Sequence, residues 1–201
     1  MAGLHPCARD YLARLPDGLA SYPYCVAKAA LLRDILGSRP LDPDGDGLPE
    51  PLRSLVATPP PVSSWIPEVH FVATSLAIYG RHFGGDDVQA FEDWVCVRNA
   101  TLFGKPLYRV LIALMSPERL LVGASKRWTA FHRGSTLTLL EHTPEYALVR
   151  LDFPAELFER VLMHGFAASM RAAAQVAGGR NVRSGLDTAS PTRAEYWVRW
   201  E

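Results

Sequence analysis

The run STLTLLEHTPEYALVRLDF, Ser135 to Phe153, decides the fold class. Two strand-like stretches, Ser135–Thr143 and Tyr146–Phe153, flank a Thr143-Pro144-Glu145 turn, and in the second Ala147, Val149, Leu151 and Phe153 recur at every other position. Successive strand residues point to opposite faces, so these four make one apolar face while Leu148, Arg150 and Asp152 lie on the other. A sheet with one dry face has to be covered, and the helical first half of the chain is the cover expected here.

Downstream, Pro154 opens a helix that carries Phe158, Val161, Leu162, Phe166, Met170, Ala173 and Ala177 on one side and closes at Gly178-Gly179. Two strands follow, Val182–Ala189 and Arg193–Trp200, the second alternating Ala194, Tyr196, Val198 and Trp200 against Glu195, Trp197 and Arg199. Upstream, the stretch from Ser125 to the Gly134 turn reads as a first strand, with Trp128, Ala130 and His132 on one face and Thr129, Phe131 and Arg133 on the other. The sum is an α+β fold: an N-terminal helical layer packed on a C-terminal antiparallel sheet of order β-β-β-α-β-β.

Further back the signals are helical. Short helices are expected at Pro6–Leu15 and Tyr24–Leu36, with Gly37 as the stop. Residues 38–67 hold eight of the sixteen prolines, which forbids a long helix and predicts an extended strap with a helical turn or two at Pro51–Ala57. Pro67 then takes a first helical position ahead of Val69, Val72, Leu76, Tyr79 and Phe83 at three-four spacing, and Gly84-Gly85 ends that helix. A helix from Asp86 to Phe103 follows, then one over Leu107–Met115 opened by Pro106, then a short one capped by Ser116. We read one domain over 1–201: N-terminal helices 1–37, strap 38–67, helical layer 68–124, and 125–201 as the sheet with its packing helix.

Composition bounds what such a unit does. A chain of 201 residues buries roughly 70% of its extended-chain surface, enough for an independent core. Lys plus Arg equals Asp plus Glu at 21 each, so there is no basic field for nucleic acid, and no run is long and apolar enough for a membrane span. Neither partner is expected. Cys7, Cys25 and Cys96 form no C-x-x-C pair, which argues against a disulfide framework or structural zinc and fits a cytoplasmic location.

Reaction motifs are absent: no G-x-S-x-G elbow, no phosphate-binding G-x-x-x-x-G-K-[ST] and no G-x-G-x-x-G occurs, and Cys96 has no basic neighbour in sequence. Asp42-Pro43-Asp44-Gly45-Asp46-Gly47 looks like the start of a calcium loop, but Arg53 stands where the bidentate Glu belongs, so a solvated turn is the reading. No cofactor is predicted. Haem stays open because one helix-borne imidazole suffices for a five-coordinate iron, and His70, His82 and His164 are the candidates. The densest mixture of aromatic, basic and titratable groups is 126–135, where an imidazole beside an indole could line an apolar pocket.

The order of elements from about Trp65 to Glu201 resembles the ligand-binding fold shared by haem nitric-oxide sensors, vinyl-reductase-type domains and vesicle-tethering subunits. Leu102-Phe103-Gly104-Lys105-Pro106, Ser116-Pro117-Glu118-Arg119 and Ala194-Glu195-Tyr196-Trp197-Val198-Arg199-Trp200 are similar to strings of a paralogous protein family of comparable length described in myxobacteria. The resemblance implies a pocket between helices and sheet, or a dimer surface. Its haem-propionate string, Tyr-x-Ser-x-Arg, has no counterpart here, and every cysteine precedes the sheet, unlike the late cluster of the vinyl-reductase-type domains.

The expected function is a non-catalytic sensor or regulatory domain that binds a small apolar or aromatic molecule, with Tyr79, Trp128 and His132 lining the site and His70 and Arg133 as polar anchors. Two alternatives stand beside it. One is a ligand-free interaction module that forms a homodimer through the aromatic C-terminal strand, and the other is an acid-base enzyme using His132 or His70 with a nearby carboxylate.

Overall fold

A computed structural model describes residues 3–104 and 116–201; the expected helix Leu107–Met115 lies outside the described residues. In chain order the elements are α1 (Pro6–Arg14), a 3-10 turn (Gly18–Ala20), β1 (Val26–Lys28), α2 (Ala29–Ser38), α3 (Glu50–Ala57), β2 (Trp65–Pro67), α4 (Glu68–Phe83) and α5 (Val88–Phe103). From residue 116 onward come α6 (Pro117–Val122), α7 (Ala124–Phe131), β3 (His132–Arg133), β4 (Thr136–Thr143), β5 (Tyr146–Asp152), α8 (Arg160–Val176), β6 (Arg183–Ser190) and β7 (Arg193–Arg199). The class is α+β, as the periodicities predict.

The hairpin forms as read, with Leu137 opposite Leu151 and Leu139 opposite Val149, and a bulge between Leu139 and Glu141. Ala147, Val149 and Leu151 are fully buried. The antiparallel sheet runs in the order β4-β5-β7-β6, and α8 packs across it, backed by α5. One consequence bears on the dimer alternative: β7 lies between β5 and β6, so both its hydrogen-bonding edges are used and it offers none to a second subunit.

Three segments depart from the sequence reading. The helix expected to open at Pro154 starts only at Arg160, after a bend that holds Phe158. Residues 124–131 are helix α7, not strand; only His132 and Arg133 are extended, and they pair with β1, not with β4. The helix is anchored at its start by Ser125 Oγ, which donates to the Leu137 carbonyl of β4. Residues 24–28, expected to be helical, instead place β1 at the centre of a second sheet of order β2-β1-β3. Gly37 does not stop α2, which continues to Ser38. The other boundaries follow local chemistry: Pro67 precedes α4, Gly84 ends it at φ +68°, Asp87 caps α5, and Ser116 Oγ accepts from Arg119 N at the start of α6.

In α4 burial extends beyond the expected stripe, with every residue from Glu68 to Gly80 buried except His70. This helix is the centre of the packing. One contiguous apolar cluster joins Tyr11 of α1, Leu32 of α2, Leu52 of α3, Leu76 of α4, Phe91 of α5, Leu151 of β5 and Tyr196 of β7. Among the described residues, no helix is long and apolar enough to cross a membrane.

Candidate functional site

The small sheet builds the site. Its register sets Ala27 opposite both Ile66 of β2 and His132 of β3, and Val26 opposite both Pro67 and Arg133. One step further along, Cys25 lies between Glu68 and Gly134: its carbonyl accepts from Glu68 N at 2.9 Å, and its thiol lies 3.5 Å from the Gly134 carbonyl. The first residue of α4 and the last residues before β4 are thereby drawn to either side of one short strand. Gly134 has φ +85°, and a Cβ there would stand 2.8 Å from Cys25 Cα, so glycine is required for the approach.

What this geometry brings together is a buried pair. Glu68 is wholly shielded from solvent and His132 nearly so, with Nδ1 3.1 Å from each Glu68 carboxylate oxygen. Glu68 is the first residue of α4. Its charge is felt nearby. Burial, reinforced by Glu68, pushes the Cys25 thiol up to about 11 and raises the Tyr11 hydroxyl, which donates to the Leu157 carbonyl at 2.8 Å.

The imidazole is boxed by rings. Trp128 stacks on it at 4.1 Å between centroids and 17° between planes, and Phe71 and Phe166 meet it edge-on at 6.2 and 5.9 Å. Trp128 in turn donates from Nε1 to Ser135 Oγ at 3.0 Å. A cavity of about 400 Å³, with His132 but not Glu68 on its wall, lies between α5, α7, α8 and β4. Its walls include Phe71, Trp128, His132, Leu137, Phe166 and Met170, with Arg98, Asn99, Arg127 and Ser169 as polar members and exposed Ala130 at one edge. Asn99 Nδ2 donates to Ser169 Oγ at 2.6 Å, and Arg98 Nη2 donates to Asn99 Oδ1 at 3.2 Å.

Of the five residues singled out from sequence, Trp128 and His132 meet at this cavity. Tyr79 does not line it; it is buried between α4 and α5, against Phe83 and Phe91. His70 is half-buried on α4 and also off the cavity wall, its pKa held below the ordinary value by burial against the opposing pull of the Leu19 carbonyl. Arg133 is on the outer face of β3, where it and Lys28 lie over the Trp65 ring at 4.0 and 4.1 Å. The haem candidates His82 and His164 are likewise elsewhere, facing the Pro40 carbonyl and the Glu92 carboxylate. In the acidic turn, Asp46 pairs with Arg81 and Asp42 accepts from Asp44 N, so those carboxylates are occupied within the chain.

Sequence reasoning missed Glu68 and Arg98. Glu68 has a faint signal, an acid directly after the proline that opens an otherwise apolar helix. A second arrangement was also invisible: Arg171 of α8 donates from Nε to Cys96 Sγ at 3.3 Å on the wall of an open surface groove.

Comparison with known proteins bears on the fold. The sequence matches no protein-family model and no curated protein. Its structure is similar to that of the Fe(II) unliganded H-NOX protein from K. algicida, at TM-score 0.56 and 11% identity, with 87% of this chain and 96% of that one covered. A point mutant of that protein gives TM-score 0.58 at 10% identity over the same shares, and a structure from work on haem distortion in the H-NOX family gives 0.54 at 7% identity, covering 86% of this chain and 92% of the other. The chain has the H-NOX fold, as the order of its elements suggested.

Proposed function

We propose that this chain is a non-catalytic, cytoplasmic sensor or regulatory domain that binds a small organic molecule in the cavity between α5, α7 and α8. The observation that carries the reading is the cavity itself: about 400 Å³, apolar over most of its wall, with a few convergent polar groups and a histidine at one end. Pockets for small molecules have this size and composition. Glu68 fixes the ring of His132 through Nδ1, leaving the rest of the imidazole to meet a ligand, and Trp128 supplies a flat apolar partner for an aromatic one. The fold supports the same reading, since the H-NOX structures it resembles are described as haem proteins.

A second reading follows from those neighbours. Haem iron needs one imidazole nitrogen, and a carboxylate on Nδ1 is the arrangement that orients a metal-ligating histidine through its other nitrogen. His132, not His70, His82 or His164, is then the residue that would hold the iron, with Arg98 and Arg127 on the same wall as partners for its carboxylates. Bound haem would supply a site for a diatomic gas.

One preparation tests both. A native mass spectrum and an absorption spectrum of the purified chain are expected to show a retained organic compound and no Soret band, and loss of that compound in a Phe166→Trp variant that fills the cavity. A Soret band abolished by His132→Ala establishes the haem reading instead. A chain that retains nothing and binds neither haem nor any compound of a small-molecule screen contradicts both.

A further inference from the structure

Resting on the cavity reading above, we infer that the ligand is an organic acid, an apolar or aromatic body bearing one carboxylate, and that Arg98 of α5 receives its anionic head. Arg98 is largely buried, its side chain retaining 12% of its exposure with Nε and Nη1 shielded from solvent, and it lines the cavity. Among the described residues one of its nitrogens is matched by a hydrogen bond, Nη2 to Asn99 Oδ1. Nε and Nη1 make none among the described residues, although Nη1 lies 3.3 Å from Asp34 Oδ2 in a charge contact that lacks hydrogen-bond alignment.

A buried guanidinium with two unmatched donors is costly, and native interiors tolerate such groups where something outside the chain completes them. A carboxylate is the complement in charge and in acceptor oxygens. The lining holds two guanidiniums, Arg98 and Arg127, and no carboxylate among the described residues, so the wall favours an anion over a cation. Burial brings the Arg98 pKa down to about 10 against the support of Asp34, which leaves it a cation at neutral pH. Around this polar end Leu31, Phe71, Leu120, Leu137, Phe166 and Met170 provide the apolar wall for the body of the molecule.

The test uses the full chain stripped of any co-purified compound, and two probe pairs: dodecanoate against dodecanol, and 2-naphthoate against 2-naphthol, titrated by calorimetry. The expected result is that in one pair the acid binds on the order of tenfold more tightly than the alcohol, the pair showing whether the body is aliphatic or aromatic. Arg98→Met should abolish that advantage while leaving the alcohol's affinity within about twofold, a methionine keeping the packing but not the donors. Acid and alcohol binding equally well, or an advantage that survives in Arg98→Met, overturns the inference and leaves the cavity reading intact. Absence of binding in both pairs overturns the inference, while the cavity reading is decided separately by the retained-compound and screening experiment above. Should the variant fail to fold, the acid-to-alcohol ratio on the unaltered chain still decides.

Discussion

Glu68 and His132 set the energetics at the scale of single residues. A carboxylate with no solvent exposure is tolerable only while its partner stays, and removing one member of a buried pair costs about 3–5 kcal/mol. His132→Ala should therefore lower unfolding free energy by about that amount in urea titrations, whereas Glu68→Gln combined with His132→Gln should recover much of the loss, a coupling that a double-mutant cycle reads directly. Stability alone thus does not separate a structural His132 from a ligand-contacting one; ligand affinity measured in the double variant does. His70 makes a separate prediction. Burial disfavours its imidazolium, so its folded pKa lies below 6.5, and the unfolded chain takes up the proton first as pH falls. Its contribution is complete above 6.5, declines as pH drops through the window down to the folded value, and is flat below it. His70→Gln should flatten the dependence of unfolding free energy on pH between 7 and 5. The Cys25 thiol, raised to about 11 and fully buried, should resist alkylation in the native state long after Cys7 has reacted, as mass spectrometry of the labelled chain would show.

At the scale of elements, the segment around Trp128 shows how two periods can agree at one spacing. Residues four apart share a face in a strand and nearly so in a helix, so Trp128 and His132 fall together whichever is chosen, and the sequence reading brought them together through the wrong element. Their neighbours discriminate. Ala130, which a strand would have placed with them, is exposed, and Ala, Lys and Arg favour the helix that forms. In β1 the strand is three residues long, too short for any period to register. Its role depends on a close approach at Gly134, so Gly134→Ala, which combines a left-handed conformation with a clash against Cys25, should cost about 1–3 kcal/mol and shift the thermal midpoint, and it should also slacken the His132–Glu68 contact. A variant as stable as the parent chain would contradict this account of the small sheet.

On the scale of the molecule, α4 is the structure's axle. It is enclosed on nearly all sides, carries Glu68 at one end and shares the cluster that reaches from α1 to β7. Hydrogen exchange should find its central amides, Val72 to Ile78, opening only with global unfolding, while the edge strand β6, mostly exposed, exchanges through local openings. Comparable rates in the two would mean that the core is not cooperative. The cavity sits beside this rigid axle and between α5, α7 and α8, so a ligand there touches helices that pack on the sheet and helices that do not.

The sequence by itself determined the sheet and its packing helix, because alternation in Tyr146–Phe153 and Arg193–Trp200 and the apolar face of Arg160–Val176 are local patterns that burial enforces residue by residue. It also placed the long helices, since proline, glycine and capping side chains act on their immediate neighbours. The site was another matter. Cys25, Glu68 and His132 are far apart in the chain and their meeting depends on a three-residue strand, while the cavity wall that Arg98 shares with His132 depends on which helix turns toward which. Pairing between distant segments leaves no periodic trace in either one, so only the tertiary structure decided that a lone glutamate would face a histidine and that an arginine would be left with donors to spare.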